Sequence, residues 1–318
     1  VWKPKDFILL SSVLPPEWPI VFLDAAIDRH STEAVFDWVA REQPDAIIVA
    51  TSSIHWEEDK RFLGELRSQF KSKILVFGDA FIEPSFRKQL SGGIDGIITD
   101  PLRSNVVAML QGDSCDYRHR EAGQRKDNRL VHTHRPRNEL FENPTYRWTF
   151  VRRKRFASVY TQFGCPYACT YCSEAITNVS YRPADGVLEE LGDLKNRGVK
   201  EIHFGDASFG YPKENAEKIL RGMIDASFGF QWSSYIHPLQ PSAAMFDLIQ
   251  KSGCHTLVFG IDSADESLLA SFGRNVRCEE LSRFVVECKK RGLSLCGDVM
   301  LGFPGETLES CRRTLEFA

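Results

Sequence analysis

Short apolar runs alternate with amphipathic segments of helical length along most of the chain. In the first third, the apolar runs predict strands at 20–24, 46–50, 74–78 and 96–99. The segments around them predict helices at 6–14, 33–41, 57–70 and 83–90. These strands are apolar throughout rather than alternating, which is typical of strands covered on both faces. The order predicts an α/β domain with a parallel sheet of the Rossmann-like (flavodoxin-like) kind, whose ligands bind at the carboxyl ends of the strands.

The same alternation resumes at Phe156. Strands are predicted at 156–160, 200–204, 230–235, 255–260 and 294–301. Helices are predicted at 185–197, 213–226, 242–252 and 278–291. Five strand–helix steps predict a partial (βα)6 TIM-like barrel that lacks about one unit.

The segment between the two α/β parts has a different composition. Residues 113–150 are rich in Lys and Arg and show almost no apolar periodicity. They predict a basic linker, and a solvated connector is favoured over a nucleic-acid contact. The expected domains are therefore 1–112, the linker at 113–150, and 151–318.

Composition narrows the class of protein. The 318 residues are 42% hydrophobic and 11% aromatic, which excludes a disordered chain. A formal net charge of −3 gives no reason to expect binding to nucleic acid or to an anionic membrane. No apolar run approaches the roughly 18 residues of a membrane span, and the charged start VWKPKDF does not resemble a signal peptide, so a cytoplasmic location is expected. Because the chain starts with Val and stops within a predicted helix, we also expect a fragment of a longer protein.

Cysteines are concentrated in one short segment. Nine are present, none precedes Cys115, and three occur as Cys165, Cys169 and Cys172 directly after the first predicted barrel strand. Thiolates at this spacing can hold one zinc ion or an iron–sulfur cluster. A structural zinc usually takes a fourth ligand, and no further CxxC or HxxxH pair follows at a suitable spacing. Three thiolates suit a four-iron cluster with one open iron, and a zinc-binding module is the weaker alternative.

The segment Cys165-Pro-Tyr-Ala-Cys169-Thr-Tyr-Cys172 resembles the CxxxCxxC motif of the radical S-adenosylmethionine (SAM) superfamily, on the loop after strand one of a partial barrel. The resemblance implies that the three cysteines bind a [4Fe-4S] cluster and that Tyr171 lies near the adenine of S-adenosylmethionine. In this family the open iron chelates S-adenosylmethionine, and reductive cleavage gives a 5′-deoxyadenosyl radical.

Three later segments at predicted strand ends also match the family. Phe204-Gly-Asp lies where the family has its GGE motif, Gly260-Ile-Asp-Ser resembles GIES, and Gly302-Phe-Pro-Gly-Glu resembles GxPGE. Ala207 replaces the second Asp of the FxDDxF variant of the first motif. The resemblance covers about 155–318. It implies SAM contacts from Gly205, Asp206, Asp262, Ser263, Gly302 and Glu306.

The amino-terminal half resembles the cobalamin (B12)-binding domain that precedes the barrel in one large class of these enzymes. The order helix, IVFLDA, PDAIIVATSS, KILVFGDA and DGIITDP carries the resemblance and implies that the domain's first strand lies upstream of Val1. The implied cobalamin contacts are Ser52, Ser53, Gly78 and Asp79. The motif Asp-x-His-x-x-Gly is absent, so a flavodoxin-like domain without a cofactor is the alternative.

Together these features predict a radical SAM enzyme, and specifically a cobalamin-dependent methyltransferase acting on an unactivated centre. The alternatives are a non-methylating radical SAM oxidoreductase or cyclase without functional cobalamin, and an inactive gene fragment. A methylthiotransferase is disfavoured, because the three further cluster cysteines of its amino-terminal domain have no counterpart before Cys115. The expected substrate is a small or natural-product-like molecule, and the expected partner is an electron donor such as flavodoxin or ferredoxin. No membrane partner is expected, and nucleic acid is disfavoured.

Overall fold

The computed structural model describes residues 3–78, 89, 93–102, 105–112, 128–239 and 241–318. The side chains of residues 175 and 176 are outside this description. So are Asp79, Cys115, nearly all of the helix predicted at 83–90, and residues 113–127 of the basic segment.

The elements follow the predicted alternation. The amino-terminal part contains helices α1 (Lys5–Val13), α2 (Ala25–Asp28), α3 (Thr32–Glu42), α4 (Trp56–Gln69) and α5 (Val106–Gln111), and strands β1 (Ala46–Thr51), β2 (Lys73–Gly78) and β3 (Gly96–Ile98). The middle contains β4 (Asn128–Leu130) and a 3-10 helix at Asn138–Phe141. The rest contains β5 (Ala157–Val159), β6 (Gln162–Phe163), a 3-10 helix (Ser173–Ile176), β7 (Val179–Tyr181), α6 (Ala184–Asn196), β8 (Glu201–Phe204), α7 (Lys213–Asp225), β9 (Gln231–Tyr235), α8 (Ala243–Lys251), β10 (Cys254–Asp262), α9 (Glu266–Ser271), α10 (Cys278–Lys290), β11 (Ser294–Val299) and α11 (Leu308–Phe317). No described helix combines the length and the apolar character needed to cross a membrane.

The first sheet is parallel and has the order β1-β2-β3. Ile74 and Val76 of its central strand point to one face, which α3 and α4 cover. Leu75 and Phe77 point to the other face, which α1 and α5 cover. Burial on both faces explains why these strands are apolar throughout, and it confirms the predicted parallel α/β sheet.

The strand predicted at 20–24 is wrong. This stretch forms no ladder and leads into α2, whose first turn is capped by the Asp24 carboxylate. Phe22 instead lies edge-to-face with Phe7 and Phe141 at centroid distances of 5.2 and 4.8 Å, and Val21 stays exposed. A short apolar run therefore looks the same in sequence whether it joins a sheet or packs as an extended loop.

Five parallel strands form the second sheet, in the order β11-β10-β9-β8-β5. Phe204, Trp232, Leu257 and Phe259 point outward from this sheet into a core completed by α6, α7, α8 and α10. The strands overlap all five that were predicted, so the partial barrel is confirmed.

The other, concave face of the second sheet is polar. Its register aligns Ser158, His203 and Ser233 at one level. Tyr235 and Cys296 pair with the same residue of β10 at the next level toward the carboxyl ends. Polar and apolar side chains thus alternate along these strands, which identifies the concave face as the inside of the barrel.

The chain that precedes β5 closes the amino end of the concave face. The Trp148 ring lies 4.9 Å from the ring of His203. At the first residue of β8, the Glu201 carboxylate accepts hydrogen bonds of 2.6 Å from the backbone N–H groups of residues 152 and 153. The carboxyl ends of the strands are therefore the place where a ligand can reach the barrel interior.

The basic segment is anchored at a few positions where it is described. Phe141 and Tyr146 are buried, and β4 pairs in parallel with β7. Asn138 is also buried and donates a hydrogen bond of 2.7 Å to the Glu190 carboxylate. A few side chains of residues 128–150 thus have specific partners that composition does not reveal, and the role of the segment as a linker stays a prediction.

Candidate active site

The three clustered cysteines lie on one irregular loop between β6 and β7. Cys165 and Cys169 are half-buried, and Cys172 is exposed. Gly164 begins the loop at a φ of +83°, where a Cβ would come within 2.0 Å of the Asn178 carbonyl oxygen. The backbone N–H of Cys172 donates to the Cys169 carbonyl at 3.0 Å, so the last two cysteines share one turn.

The cysteine loop rests on the segment that follows α9. The backbone N–H of Thr170 donates to the Phe272 carbonyl at 2.9 Å. The next residue, Gly273, has a φ of +73°, and a Cβ there would come within 2.7 Å of the Ala168 carbonyl oxygen. Only glycine lets the two backbones approach this closely.

Asp262 ends β10 at the carboxyl edge of the barrel sheet and contacts the same loop. It is buried and has a φ of +57°, a left-handed conformation that is uncommon for residues with a side chain. Its Oδ2 accepts a hydrogen bond of 3.1 Å from the Tyr171 hydroxyl and forms an ion pair with Arg274. Burial raises the pKa of Asp262, and the Arg274 charge opposes that shift. The structure thus brings two of the predicted SAM residues, Tyr171 and Asp262, into direct contact.

Aromatic rings surround this contact. The Tyr171 ring lies edge-to-face with Phe303 at 5.3 Å, and Tyr167 stacks on His237 at 3.7 Å with an interplanar angle of 17°. Burial, and then the charge of Arg274, lower the pKa of His237 to about 3. His237 is therefore neutral at ordinary pH, and its ring packs against the cysteine loop through Tyr167.

Gly205 and Asp206 follow β8 and contact the residues that come directly after β5. The fully buried Asp206 carboxylate accepts hydrogen bonds from the Thr161 backbone N–H at 2.8 Å, the Thr161 hydroxyl at 2.5 Å and the Gln162 backbone N–H at 3.2 Å. Burial raises the pKa of Asp206 to about 6 against the effect of these hydrogen bonds. A Cβ at Gly205 would come within 2.2 Å of the Tyr160 ring. The SAM contacts expected of both residues stay predictions.

Ser263, Gly302 and Glu306 lie at the other strand ends. Ser263 is fully buried, with its hydroxyl 3.2 Å from the Thr314 hydroxyl. The Glu306 carboxylate accepts the backbone N–H of Gly302 at 2.5 Å and that of Phe303 at 3.3 Å. Glu306 therefore shapes the turn after β11, and its predicted contact with SAM stays a prediction, as do those of Ser263 and Gly302.

Three polar side chains on the concave face were not singled out from the sequence. Tyr235 and Cys296 share one level of the sheet, and Asp298 follows two residues after Cys296 on β11. Burial and the nearby Asp262 raise the pKa of Asp298. The signal in the sequence is the polar residue at every second position of β11, beginning at Ser294.

The predicted cobalamin residues meet at one edge of the first sheet. Thr51 pairs with Gly78, so the carboxyl ends of β1 and β2 lie side by side. Gly78 has a φ of +145°, and a Cβ there would come within 1.9 Å of the Thr51 carbonyl oxygen. Ser52 and Ser53 follow β1 directly, and the Ser52 backbone N–H donates to a carboxylate of α4 at 2.7 Å. The fourth residue, Asp79, lies outside the described residues.

The donor atoms indicate what the cysteine loop can hold. Within the described residues, no three His, Cys, Asp or Glu side chains are already gathered as a metal site. The loop nevertheless presents three cysteines within eight residues, and Cys thiolates are the ligands of iron–sulfur clusters. This donor set fits a cluster and does not fit magnesium or calcium, which prefer oxygen ligands.

Known proteins resemble different parts of this chain. The model of the radical SAM superfamily matches residues 159–318. An uncharacterized methyltransferase of Pyrococcus horikoshii is 32% identical over 51% of this chain and 36% of its own length. The tryptophan 2-C-methyltransferase of Streptomyces laurentii is 25% identical over 51% of this chain and 30% of its own length. The chain therefore spans about a third of the length of these two curated relatives.

A solved structure resembles nearly the whole chain. TsrM from Kitasatospora setae, a radical S-adenosylmethionine methyltransferase with cobalamin and a [4Fe-4S] cluster bound, gives a TM-score of 0.77 at 19% identity. The match covers 99% of this chain and 67% of that chain, which confirms the predicted order of a parallel-sheet domain and a partial barrel. A second structure of the same enzyme contains its tryptophan substrate and a SAM analog. Because the superfamily model matches half of the chain, including the cysteine loop and four of the five barrel strands in full, this protein belongs to the radical SAM superfamily.

Proposed function

We propose that this protein is a cobalamin-dependent radical SAM methyltransferase that acts on an unactivated centre of a small molecule. The observation that carries the proposal is the loop with three cysteines at the carboxyl ends of the barrel strands, where Tyr171 contacts Asp262. Methyl transfer is supported by the names of the two curated relatives and by the likeness to TsrM, which extends over both sheets.

The barrel residues divide into two groups by their contacts. Cys165, Cys169 and Cys172 would hold the [4Fe-4S] cluster, and Tyr171 and Asp262 would contact S-adenosylmethionine. Gly205, Asp206, Ser263, Gly302 and Glu306 would form the strand ends around it. When bound, the cluster would supply the electron for reductive cleavage of S-adenosylmethionine, and cobalamin would supply a transferable methyl group. The protein's own part is to hold the loop against the strand ends and to keep water out with the surrounding rings.

The first sheet supplies the proposed cobalamin site. Ser52, Ser53, Gly78 and Asp79 belong to the carboxyl ends of two adjacent strands, where ligands of open α/β sheets bind. Gly78 lets these two strand ends lie close together, because a Cβ there would meet the Thr51 carbonyl oxygen.

The substrate would lie on the concave face of the barrel sheet. Tyr235, Cys296 and Asp298 offer a hydroxyl, a thiol and a carboxylate on that face. Asp298 lies near Asp262, which contacts the cysteine loop. Such a surface suits a small polar or natural-product-like molecule, and the tryptophan of TsrM is a molecule of this size. A reduced cluster needs an electron donor such as flavodoxin or ferredoxin, and we place the enzyme in the cytoplasm.

Cofactor content tests this function. Full-length protein is expressed anaerobically with cobalamin supplied, gel-filtered, and assayed for iron, sulfide and corrinoid per chain. We expect about four iron atoms and one corrinoid per chain, and 5′-deoxyadenosine after addition of S-adenosylmethionine and a reductant. Cys172→Ala should lose the iron, whereas Cys311→Ala, which removes a half-buried thiol outside the loop, should keep it.

Each other outcome identifies an alternative. Iron and sulfide with no corrinoid would leave a non-methylating radical SAM oxidoreductase or cyclase. Zinc without iron would contradict the radical chemistry altogether. Protein that contains both cofactors but forms no 5′-deoxyadenosine would favour the alternative of an inactive gene fragment.

A further inference from the structure

Arg274 belongs to none of the sequence motifs, yet its buried side chain joins two parts of the site. Its Nε forms an ion pair with the Asp262 carboxylate, and its Nη2 donates a hydrogen bond of 2.6 Å to the Gly260 carbonyl. A Cβ at Gly260 would come within 2.8 Å of Nη2. One guanidinium therefore holds both a side chain and the backbone at the end of β10. The glycine at position 260 leaves the space that this guanidinium occupies.

The backbone around Arg274 also carries the cysteine loop. Phe272, two residues earlier, accepts the hydrogen bond from the Thr170 backbone N–H. The carboxylate oxygen that pairs with Arg274 is the same oxygen that accepts the Tyr171 hydroxyl. The contacts therefore form a closed ring from the loop to Asp262, from Asp262 to Arg274, and back to the loop.

The ring depends on the positive charge. Asp262 is 6% exposed, and a carboxylate with so little water is strongly disfavoured unless a cation and hydrogen bonds compensate it. Without Arg274, the Asp262 side chain would lose the partner that fixes its position. The Tyr171 hydroxyl would then lose a fixed acceptor, and the turn that contains Cys169 and Cys172 would lose one of its attachments.

We propose that Arg274 is a positioning residue that holds the cysteine loop in place through Asp262 and Tyr171. The purpose of this positioning rests on the proposed function, in which the loop carries the cluster. The ring of contacts itself belongs to the protein alone, so it can be tested without any cofactor.

The rate of thiol alkylation measures how firmly the loop is held. Cofactor-free, full-length protein is treated with iodoacetamide, and each cysteine is followed by peptide mass spectrometry. Arg274→Gln should increase the rates at Cys165 and Cys169 about tenfold, because half-buried thiols react when their segment opens locally. Arg274→Lys should increase them only about threefold, since lysine keeps the charge but lacks the fork that reaches both acceptors.

A double-mutant cycle separates positioning from a general loss of structure. Asp262→Asn should match Arg274→Gln, and the double variant should react no faster than either single variant, because both changes open the same ring. The rate at the fully buried Cys288 and the rates in Arg41→Gln, which removes an exposed arginine of α3, should stay unchanged. Unchanged rates at Cys165 and Cys169, multiplicative effects in the double variant, or an equal increase at Cys288 would each overturn the proposal.

The same preparations distinguish this inference from the proposed function. Wild-type protein that binds no iron after anaerobic reconstitution would contradict the proposed function, while the alkylation rates would still decide the role of Arg274. Protein that binds iron normally and shows no effect of Arg274→Gln on alkylation would contradict only the positioning role.

Discussion

At the scale of single residues, one buried ion pair in the barrel half anchors residues 128–150 through Asn138. Arg182 and Glu190 are each 1% exposed, and their charged groups lie 2.7 Å apart. The Tyr160 carbonyl accepts a further hydrogen bond from Arg182 at 2.8 Å, and Asn138 donates to Glu190. A buried pair is tolerated only when hydrogen bonds compensate both charges, so each charge here depends on the other.

Removing one member of this pair should be much worse than removing both. Arg182→Met should lower the free energy of unfolding by about 3–5 kcal/mol, because it leaves the Glu190 charge buried. The double change Arg182→Met with Glu190→Leu should cost less than the single one. Urea denaturation measures both, and Lys213→Met, which breaks an exposed ion pair with Glu217, should change the free energy by about 1 kcal/mol or less. A loss from Arg182→Met as small as this control would show that the pair is not energetically coupled.

Asp206 should give the protein a distinctive pH dependence. Its pKa is about 6 in the folded protein against an ordinary value of 3.8, so the folded state binds more protons between these values. Its contribution to stability is therefore greatest below pH 4 and is lost as the pH rises through 6. Raising the pH from 5 to 7 should lower the free energy of unfolding of the wild type by about 1 kcal/mol more than that of Asp206→Asn. Urea denaturation at both pH values measures the difference, and parallel changes in the two proteins would contradict the raised pKa.

At the scale of elements, the joint between β1 and β2 depends on one glycine. Gly78→Ala would place a Cβ against the Thr51 carbonyl oxygen at a φ that disfavours side chains. We expect it to lower the free energy of unfolding by about 1–3 kcal/mol and to reduce the corrinoid content per chain. Gly64→Ala is the matched control, because Gly64 lies within α4 with nothing within 4 Å of the added Cβ, and it should be neutral or stabilise by up to about 1 kcal/mol. If the two changes alter the free energy of unfolding equally, the close approach at Gly78 does not contribute to stability.

The sequence predicted elements well where burial leaves a local pattern. The barrel strands have apolar outward faces and begin or end near glycine and polar residues, and each was found within a few positions. The run at 20–24 has the same apolar appearance but packs against Phe7 and Phe141, which are distant in sequence. Its conformation is decided by those tertiary contacts, so a local pattern cannot identify it.

The candidate site divides in the same way. Cys165, Cys169 and Cys172 are recognisable because their spacing within one loop is itself the signal. Arg274 acts on Asp262 from a separate segment, and a single arginine after a glycine has no distinctive pattern. Residues that act through tertiary contacts therefore require a structure, even when the motif they support is visible in the sequence.

At the scale of the whole molecule, α1 is shared by the two sheets. Leu10 packs under the first sheet, whereas Leu9 lies in a separate cluster with Leu102 and Tyr160, the last of which follows the first barrel strand. The Ser180 hydroxyl of β7 also donates to the Asp100 carboxylate beyond β3, at 2.7 Å. Helix α1 therefore contributes both to the core of the first sheet and to the cluster that reaches the start of the barrel.

Shortening a buried side chain of α1 should therefore destabilise both sheets. Leu9→Ala removes a fully buried side chain and should lower the free energy of unfolding by about 2–5 kcal/mol. Hydrogen exchange followed by mass spectrometry should show faster exchange in peptides from β2 and from β8, because the cluster of Leu9 connects the parts that contain them. Val21→Ala, at a position that is 52% exposed, is the control and should leave both peptides as they are in the wild type. If only β2 exchanges faster in Leu9→Ala, α1 belongs to the first sheet alone, and the two sheets unfold independently.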